Sequence, residues 1–290
     1  GFSIVIIYNY LPIHDIYYTS GVIMITLRLF ALFTVIGLVS ISACTGQNTK
    51  QSQQWTIGPF SKIDEANPVM MPDSASTFFC PVRKDTVHWE SKDVFNPASL
   101  VRNDTLYLIY RAEDMVGRYN GTSRIGLAYS FDGENFTRLS APVFYPDNDF
   151  MRPYEWEGGV EDPRIIESDT GEYIMTYTAY DGETARLCVA SSPDLRRWEK
   201  HGLAFKDEQY ENLWSKSGAI VCRQDGEKLI AHRIDGKYWM YWGDTDIFAA
   251  TSDNLRDWSP VTGDDGELLP MISPRNGMFD SQLVEPGPPA

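Results

Sequence analysis

Glu161-Asp162-Pro163-Arg164 follows directly on Gly158-Gly159-Val160, and it is the densest group of reactive side chains in the sequence. Two adjacent carboxylates beside a guanidinium can hold, give or take a proton. The same residues also make a turn with a salt-bridged Asp, and residue chemistry by itself leaves both readings open. Pro163 removes a backbone donor and biases Asp162 towards an extended conformation, with the apolar strand Ile165-Ile166 next. Asn96 and the surroundings of Lys216 are further polar candidates. No Cys-x-x-Cys pair occurs and the four His are scattered, so no zinc site is expected.

These residues must be positioned by something, and a repeat supplies it. Ala128-Tyr129-Ser130-Phe131-Asp132 leads to Phe136, Ala190-Ser191-Ser192-Pro193-Asp194 to Trp198, and Ala250-Thr251-Ser252-Asp253 to Trp258. The aromatic falls eight residues after each Ala, and the copies are 62 and 60 residues apart. Tyr-rich runs precede each copy: Leu106 to Arg111, Tyr173 to Ala179, and Lys237 to Trp242. Pro97 of Asn96-Pro97 lies ten residues before Tyr107, as Pro163 of Asp162-Pro163 does before Tyr173. Short alternating runs, turns such as Asp132-Gly133 and Asp181-Gly182, and hardly any helical periodicity predict an all-β chain. A unit of this length ending on an aromatic predicts a four-stranded propeller blade. The Ala and the aromatic then pack blade on blade, and polar residues opening each repeat, such as Asn96, Asp162 and Lys216, converge on the axis.

Five stretches occur in order: Phe95-Asn96-Pro97-Ala98, Tyr110-Arg111-Ala112-Glu113-Asp114, Ser123-Arg124-Ile125-Gly126-Leu127-Ala128, Val160-Glu161-Asp162-Pro163-Arg164 and Val284-Glu285-Pro286-Gly287-Pro288-Pro289. Together they resemble glycoside hydrolase family 130, from about Trp55 to Ala290. The resemblance implies a five-bladed β-propeller acting on β-mannosides with inversion, its last blade incomplete in this chain. It implies that Asp162 is the proton donor, through the 3-hydroxyl of the mannosyl unit, which asks for a raised carboxyl. Asn96, Arg111 and Asp114 would bind the non-reducing mannose, and Arg164 would order Asp162 or the nucleophile.

The family divides into hydrolases and phosphorylases. Many phosphorylases carry a Lys six residues before the Pro-Pro pair, where this chain has Gln282. Glu285 would repel phosphate and could deprotonate a water, and Asp244 is a second acidic candidate. Against them, Lys216, His232, Arg233 and Arg164 could form an anion site, with inorganic phosphate as co-substrate. The expectation leans to hydrolysis of the β-1,2-mannosidase kind, with phosphorolysis as the alternative. A non-catalytic glycan-binding propeller is the reading from another class, and it leaves Asp162-Pro163-Arg164 and Glu285 without a reason.

The 25 Lys+Arg against 40 Asp+Glu give a net charge of −15, which argues against nucleic acid as a partner and suits a neutral manno-oligosaccharide. Aromatic side chains suit sugar faces and all-β packing alike. Met24 opens a stretch with Arg28, an apolar run from Leu29 to Val39, and Ile41-Ser42-Ala43-Cys44, which reads as a lipoprotein signal over 24–44 with the lipid on Cys44. Residues 1–23 read as an upstream artefact, 45–54 as a polar tether, and 55–290 as the propeller, cut at both ends and marginally stable. That gives an exported bacterial lipoprotein, at the periplasmic face or outer membrane, touching membrane only through its anchor. Cys80, Cys188 and Cys222 are expected as buried free thiols.

Overall fold

The computed structural model describes residues 61–290, and the compact unit runs from Asp64 to Ala290. The expected signal, Cys44, the tether and the first residues after Trp55 lie outside the described residues.

The unit is all-β. A hairpin of β1 (Phe78–Cys80) and β2 (Asp85–Val87) is followed by a meander of β3 (Asp93–Arg102), β4 (Thr105–Glu113), β5 (Ser123–Ser130) and β6 (Thr137–Arg138). After the four-residue helix α1 (Arg152–Glu155) comes a second meander: β7 (Gly159–Glu167), β8 (Tyr173–Tyr180), β9 (Ala185–Ser192) and β10 (Glu199–Leu203). The third opens with β11 (Ala219–Ile220). It then inserts β12 (Cys222–Asp225), β13 (Lys228–Ala231) and β14 (Arg233–Ile234), and finishes with β15 (Lys237–Trp242), β16 (Ile247–Ser252) and β17 (Trp258–Pro260). Short β18 (Pro270–Ile272) adds to β16. The three Tyr-rich runs thus form β4, β8 and β15, the second strand of each four-stranded path.

The core lies between meanders. One cluster joins Ile109, Ile125 and Leu127 to Val160, Ile165 and Met175, and a second joins Ile174, Leu187 and Val189 to Tyr238, Met240 and Trp242. Each meander therefore covers an apolar face that its neighbour cannot leave wet. Ala128, Ala190 and Ala250 are fully buried, and each shares a cluster with its expected aromatic, Phe136, Trp198 or Trp258. The repeat also carries a shared turn. Asp132 Oδ1 accepts from the amides of Glu134 and Asn135, Asp194 Oδ1 from Arg196 and Arg197, and Asn254 Oδ1 from Arg256 and Asp257. In the third copy the turn residue, again four positions after the Ala, is Asn254. Of the three described cysteines, all free, Cys80 and Cys188 are buried and Cys222 is half-buried. The sheets are not seen to close into a ring among the described residues.

Two of the departures from regular pairing matter for the site. The β3–β4 register shifts between Phe95 and Ala98, and the β7–β8 register between Glu161 and Arg164. Each shift is a bulge holding a proline, which has no amide to give to the ladder. The residue before each proline is not extended, as local bias predicts. Asn96 has φ +45° and Asp162 φ +49°. The bulge requires a left-handed residue, and Asn and Asp tolerate that region better than other side chains with a Cβ. The Glu161-Asp162-Pro163-Arg164 motif is thus inside a strand and not in a turn before one.

Candidate active site

The strands bring their reactive residues to one end. Glu113 closes β4 opposite Ser123, which opens β5, and Ser123 in turn bridges Gly159 at the start of β7. The contact is close enough that a Cβ on Gly159 would lie 2.3 Å from the Ser123 carbonyl oxygen, so only glycine lets the two meanders meet here. Next to this junction the two bulges turn Asn96 and Asp162 towards each other, and Asn96 Nδ2 donates to Asp162 Oδ1 at 2.8 Å.

Arg111, from β4, lies under the junction. Its Nη1 is 3.2 Å from Asp162 Oδ1, and its Nη2 is 2.9 Å from Glu161 Oε1 and 2.5 Å from Glu113 Oε1. Its Nε donates to Ser123 Oγ at 3.0 Å, and the guanidinium carbon lies 4.5 Å from the Phe95 ring centroid. On the other side of Asp162, Lys216 Nζ is 3.4 Å from Asp162 Oδ2 and 3.8 Å from Glu285 Oε1. Glu285 comes in on the segment 284–290, which runs beside β11: Ala290 N donates to Ile220 O and Cys222 N to Ala290 O. Arg164 fastens that segment, its Nε donating to Gly287 O at 2.6 Å and its Nη2 to Pro286 O at 2.7 Å, with Glu285 Oε1 3.7 Å away. Ser217 Oγ donates to Glu285 Oε1. Side-chain exposure rises from 8% at Asp162 to 21% at Lys216 and 34% at Glu285, so Asp162 is the floor and Glu285 faces the mouth.

Electrostatics divide the adjacent carboxylates against expectation. Burial works to raise Asp162, but Arg111, the Asn96 amide and Lys216 outweigh it and hold the carboxyl below its ordinary value. A raised Asp162 is therefore not found in the ligand-free site. Glu161 is the displaced group: burial first, then the charges of Asp162 and Glu113, push it up to about 7 against the pull of Arg111 and Lys216. Glu113 is held low despite burial, by Lys92 and Arg111.

Of the ten residues singled out within the described region, Asn96, Arg111, Asp162, Arg164, Lys216 and Glu285 join in one chain of contacts. Asp114 does not offer its carboxylate to a ligand. It is fully buried, with Oδ1 accepting from the amides of Val116 and Thr122 and Oδ2 paired to Arg124 at 2.7 Å. Asp244 stands at the edge, accepting the Trp214 indole N–H at 2.9 Å, while the amide of Gly243 donates to Lys216 O. Arg233 is spent elsewhere, donating to Gly236 O on its own hairpin and to Asp253 O just past β16, over the Tyr238 ring, and His232 is exposed. The expected grouping of Lys216, His232 and Arg233 is thus not assembled, because the β14–β15 turn captures Arg233. Glu113 and Ser123 were missed. Strand alternation could have found Glu113, since it shares a face of β4 with Arg111 whereas Asp114 lies past the strand end. Among the described residues no group of His, Cys, Asp and Glu is arranged to hold a metal ion.

A family model described as beta-1,4-mannooligosaccharide phosphorylase matches residues 63–290. A 1,2-beta-oligomannan phosphorylase from Thermoanaerobacter sp. (strain X514) is 32% identical over 77% of this chain and 64% of its own length. A beta-1,2-mannobiose phosphorylase from the same strain is 33% identical over 52% of this chain and 51% of its own. The chain thus spans less than two thirds of the curated relatives it matches. A glycosyl hydrolase of known structure from Bacteroides ovatus is 47% identical with a TM-score of 0.78, over 81% of this chain and 67% of that one. Equally similar in sequence, with a TM-score of 0.79 over 82% and 67% of the two chains, is a structure described with glycoside hydrolases of the GH130 family of mannoside phosphorylases that target beta-1,2 mannosidic linkages in Candida mannan. With the family model covering most of its length, the chain belongs to glycoside hydrolase family 130.

Proposed function

We propose that the protein cleaves β-mannosidic bonds of manno-oligosaccharides with inversion, using water, with the β-1,2 linkage as its substrate. The observation that carries this is Lys216 Nζ lying between Asp162 at the floor and Glu285 at the mouth. Inversion requires two carboxylates, one to deliver a proton to the leaving oxygen and one to take a proton from water, and Asp162 and Glu285 are the pair that flanks Lys216 here. In this reading Asp162 gives its proton to the mannosyl 3-hydroxyl, which passes its own to the leaving oxygen. Water bonds to the anomeric carbon from the other face and loses a proton to Glu285. Asn96 and Arg111 hold the non-reducing mannose. Because Asp162 is kept charged in the free site, the sugar must first displace Asn96 and Lys216 from it and dry the carboxyl, which raises it.

Water is preferred to phosphate because the nearby cations are already engaged. Arg111 is shared by three carboxylates, Arg164 by two carbonyls, and Lys216 by Asp162 and Glu285. A phosphate dianion would enter against Glu285. The Bacteroides ovatus hydrolase, at 47% identity, supports the same choice. Phosphorolysis is the second reading, favoured by the names of the Thermoanaerobacter relatives, and it would recruit Lys216 with inorganic phosphate as co-substrate. We take the three meanders as successive blades of a five-bladed propeller, and Met24–Cys44 as the lipoprotein signal of an exported enzyme.

The test is to incubate the full-length protein with β-1,2- and β-1,4-mannobiose, with and without inorganic phosphate, and to separate the products. Mannose from the β-1,2 disaccharide in phosphate-free buffer is the expected result. Mannose 1-phosphate formed only when phosphate is present overturns the choice of water, and cleavage confined to the β-1,4 disaccharide overturns the linkage.

A further inference from the structure

A row of aromatic rings borders the site and is used by nothing described so far. Tyr119 lies on the connection between Glu113 and Ser123, Tyr180 ends β8 opposite Gly159, and Trp214 precedes Lys216 by two residues. All three therefore sit at the strand ends that carry Arg111, Glu161 and Asp162. The Tyr119 and Tyr180 centroids are 6.4 Å apart with planes at 44°, and those of Tyr180 and Trp214 are 6.4 Å apart at 71°.

The rings are held firmly for surface groups. A Cβ on Gly182 would come 2.0 Å from the Tyr119 ring, and one on Gly158 would come 2.4 Å from the Tyr180 ring, so both rings lie directly on main chain. The Trp214 indole N–H is taken by Asp244 Oδ2 at 2.9 Å, yet the residue remains 49% exposed. An indole whose polar atom is satisfied and whose face is left in water costs stability and presents an apolar plane. Burial and the charge of Glu161 push the Tyr180 phenol up, which puts that ring within the field of the carboxyl cluster.

We propose that Tyr119, Tyr180 and Trp214 form a stacking platform for pyranose units on the leaving-group side of the scissile bond. This rests on the mannoside reading above, which fills the floor at Asp162 and Asn96 with the non-reducing unit and leaves the rim to the rest of the chain. Fixed rings bind without losing rotamer freedom, and the apolar face of a mannose unit is a suitable match for them. The platform should therefore act on substrate length: each unit beyond the cleaved one adds contact.

The test compares kcat and KM of full-length wild type, Trp214→Ala and Trp214→Phe on β-1,2-mannobiose, -mannotriose and -mannotetraose, with thermal midpoints as the folding control. Trp214→Ala should raise KM for the tetraose about tenfold, with a smaller change for the disaccharide and kcat little altered, and Trp214→Phe should restore most of it. An unchanged tetraose-to-biose ratio in Trp214→Ala overturns the platform. If wild type cleaves none of these, the functional reading fails instead. The platform is then judged by calorimetric titration with mannotetraose, where equal affinity of wild type and Trp214→Ala, or no binding by either, overturns it.

Discussion

Two glutamates, six residues apart, are both pushed up to about 7, and loss of solvent is the leading cause for each. Their surroundings differ. Glu155 is fully buried between α1 and β8, where Lys200 Nζ lies 2.5 Å from its Oε2 and the Tyr177 hydroxyl donates to its Oε1 at 3.0 Å. Lys200 is completed by Asp149 at 3.0 Å and the Tyr145 carbonyl. Glu155 and Tyr177 are fully buried and Lys200 nearly so, while Asp149 lies at the surface. Glu161 instead shares Arg111 with Asp162 and Glu113, and the cluster continues through Lys216 to a solvent-facing Glu285. A displaced carboxyl therefore does not by itself identify a site. What separates the two regions is excess like charge on one cation beside an opening, a state that a core avoids and that a sugar hydroxyl can relieve.

The largest expected difference is in turnover. Asp162→Asn should lower kcat by about 10²- to 10⁴-fold, the usual contribution of a general acid. Glu155→Gln should leave turnover at 25 °C unchanged. Steady-state kinetics on β-1,2-mannobiose check both, and the contrast between the regions breaks if Glu155→Gln loses activity on the scale of Asp162→Asn.

Stability should reverse the ranking. Lys200→Met leaves the buried Glu155 without its ammonium, and should cost about 3 kcal/mol at pH 8 by urea unfolding. The loss should shrink at pH 6, where Glu155 takes up a proton. An equal loss at both values would mean that Lys200 acts through packing alone.

The two glutamates should also shape the pH dependence in the same direction. Each holds its proton to about 7 when folded but releases it near the ordinary 4.5 when unfolded. Between those values the folded chain binds more protons, so stability falls as pH rises through that window. Asp162 and Glu113, both held low, have the opposite sign: their contribution is present above the ordinary carboxyl range and is lost as pH falls through their folded values. Thermal midpoints from pH 5 to 8 should decline, and Glu155→Gln or Glu161→Gln should each flatten the decline. A slope unchanged by Glu161→Gln would place the proton elsewhere in the cluster.

How much of this was legible follows from the range of each interaction. The Ala-to-aromatic spacing located the three meanders because packing of one meander on the next recurs with the chain. The parallel of Asn96-Pro97 with Asp162-Pro163 marked the two bulges, though not their conformation. Pre-proline bias is local, whereas the bulge is imposed by pairing across β3–β4 and β7–β8. Asp114 and Arg233 looked available because their captors lie elsewhere: Arg124 on the next strand, and the Asp253 carbonyl 20 residues on. Glu161 is pushed up chiefly by burial, and Asp162 is pulled down by Arg111, the Asn96 amide and Lys216, all distant in sequence, and no adjacent pair can reveal that.

Asp244 gives the smallest effect and the finest test of the distinction between open and closed carboxylates. It stands near the mouth, where position alone would make it a base for water, yet its Oδ2 is bound to the Trp214 indole. If that bond is its role, an amide oxygen serves as well as a carboxylate. Asp244→Asn should then keep kcat within about twofold of wild type, while Asp244→Ala, which frees the indole, should raise KM for mannotetraose about fivefold, the scale of one hydrogen bond. A base cannot be replaced by an amide. If Asp244→Asn loses turnover a hundredfold or more while Glu285→Gln does not, Asp244 takes the water and Glu285 is the residue whose bonds, to Ser217 and Arg164, are there to hold the segment in place.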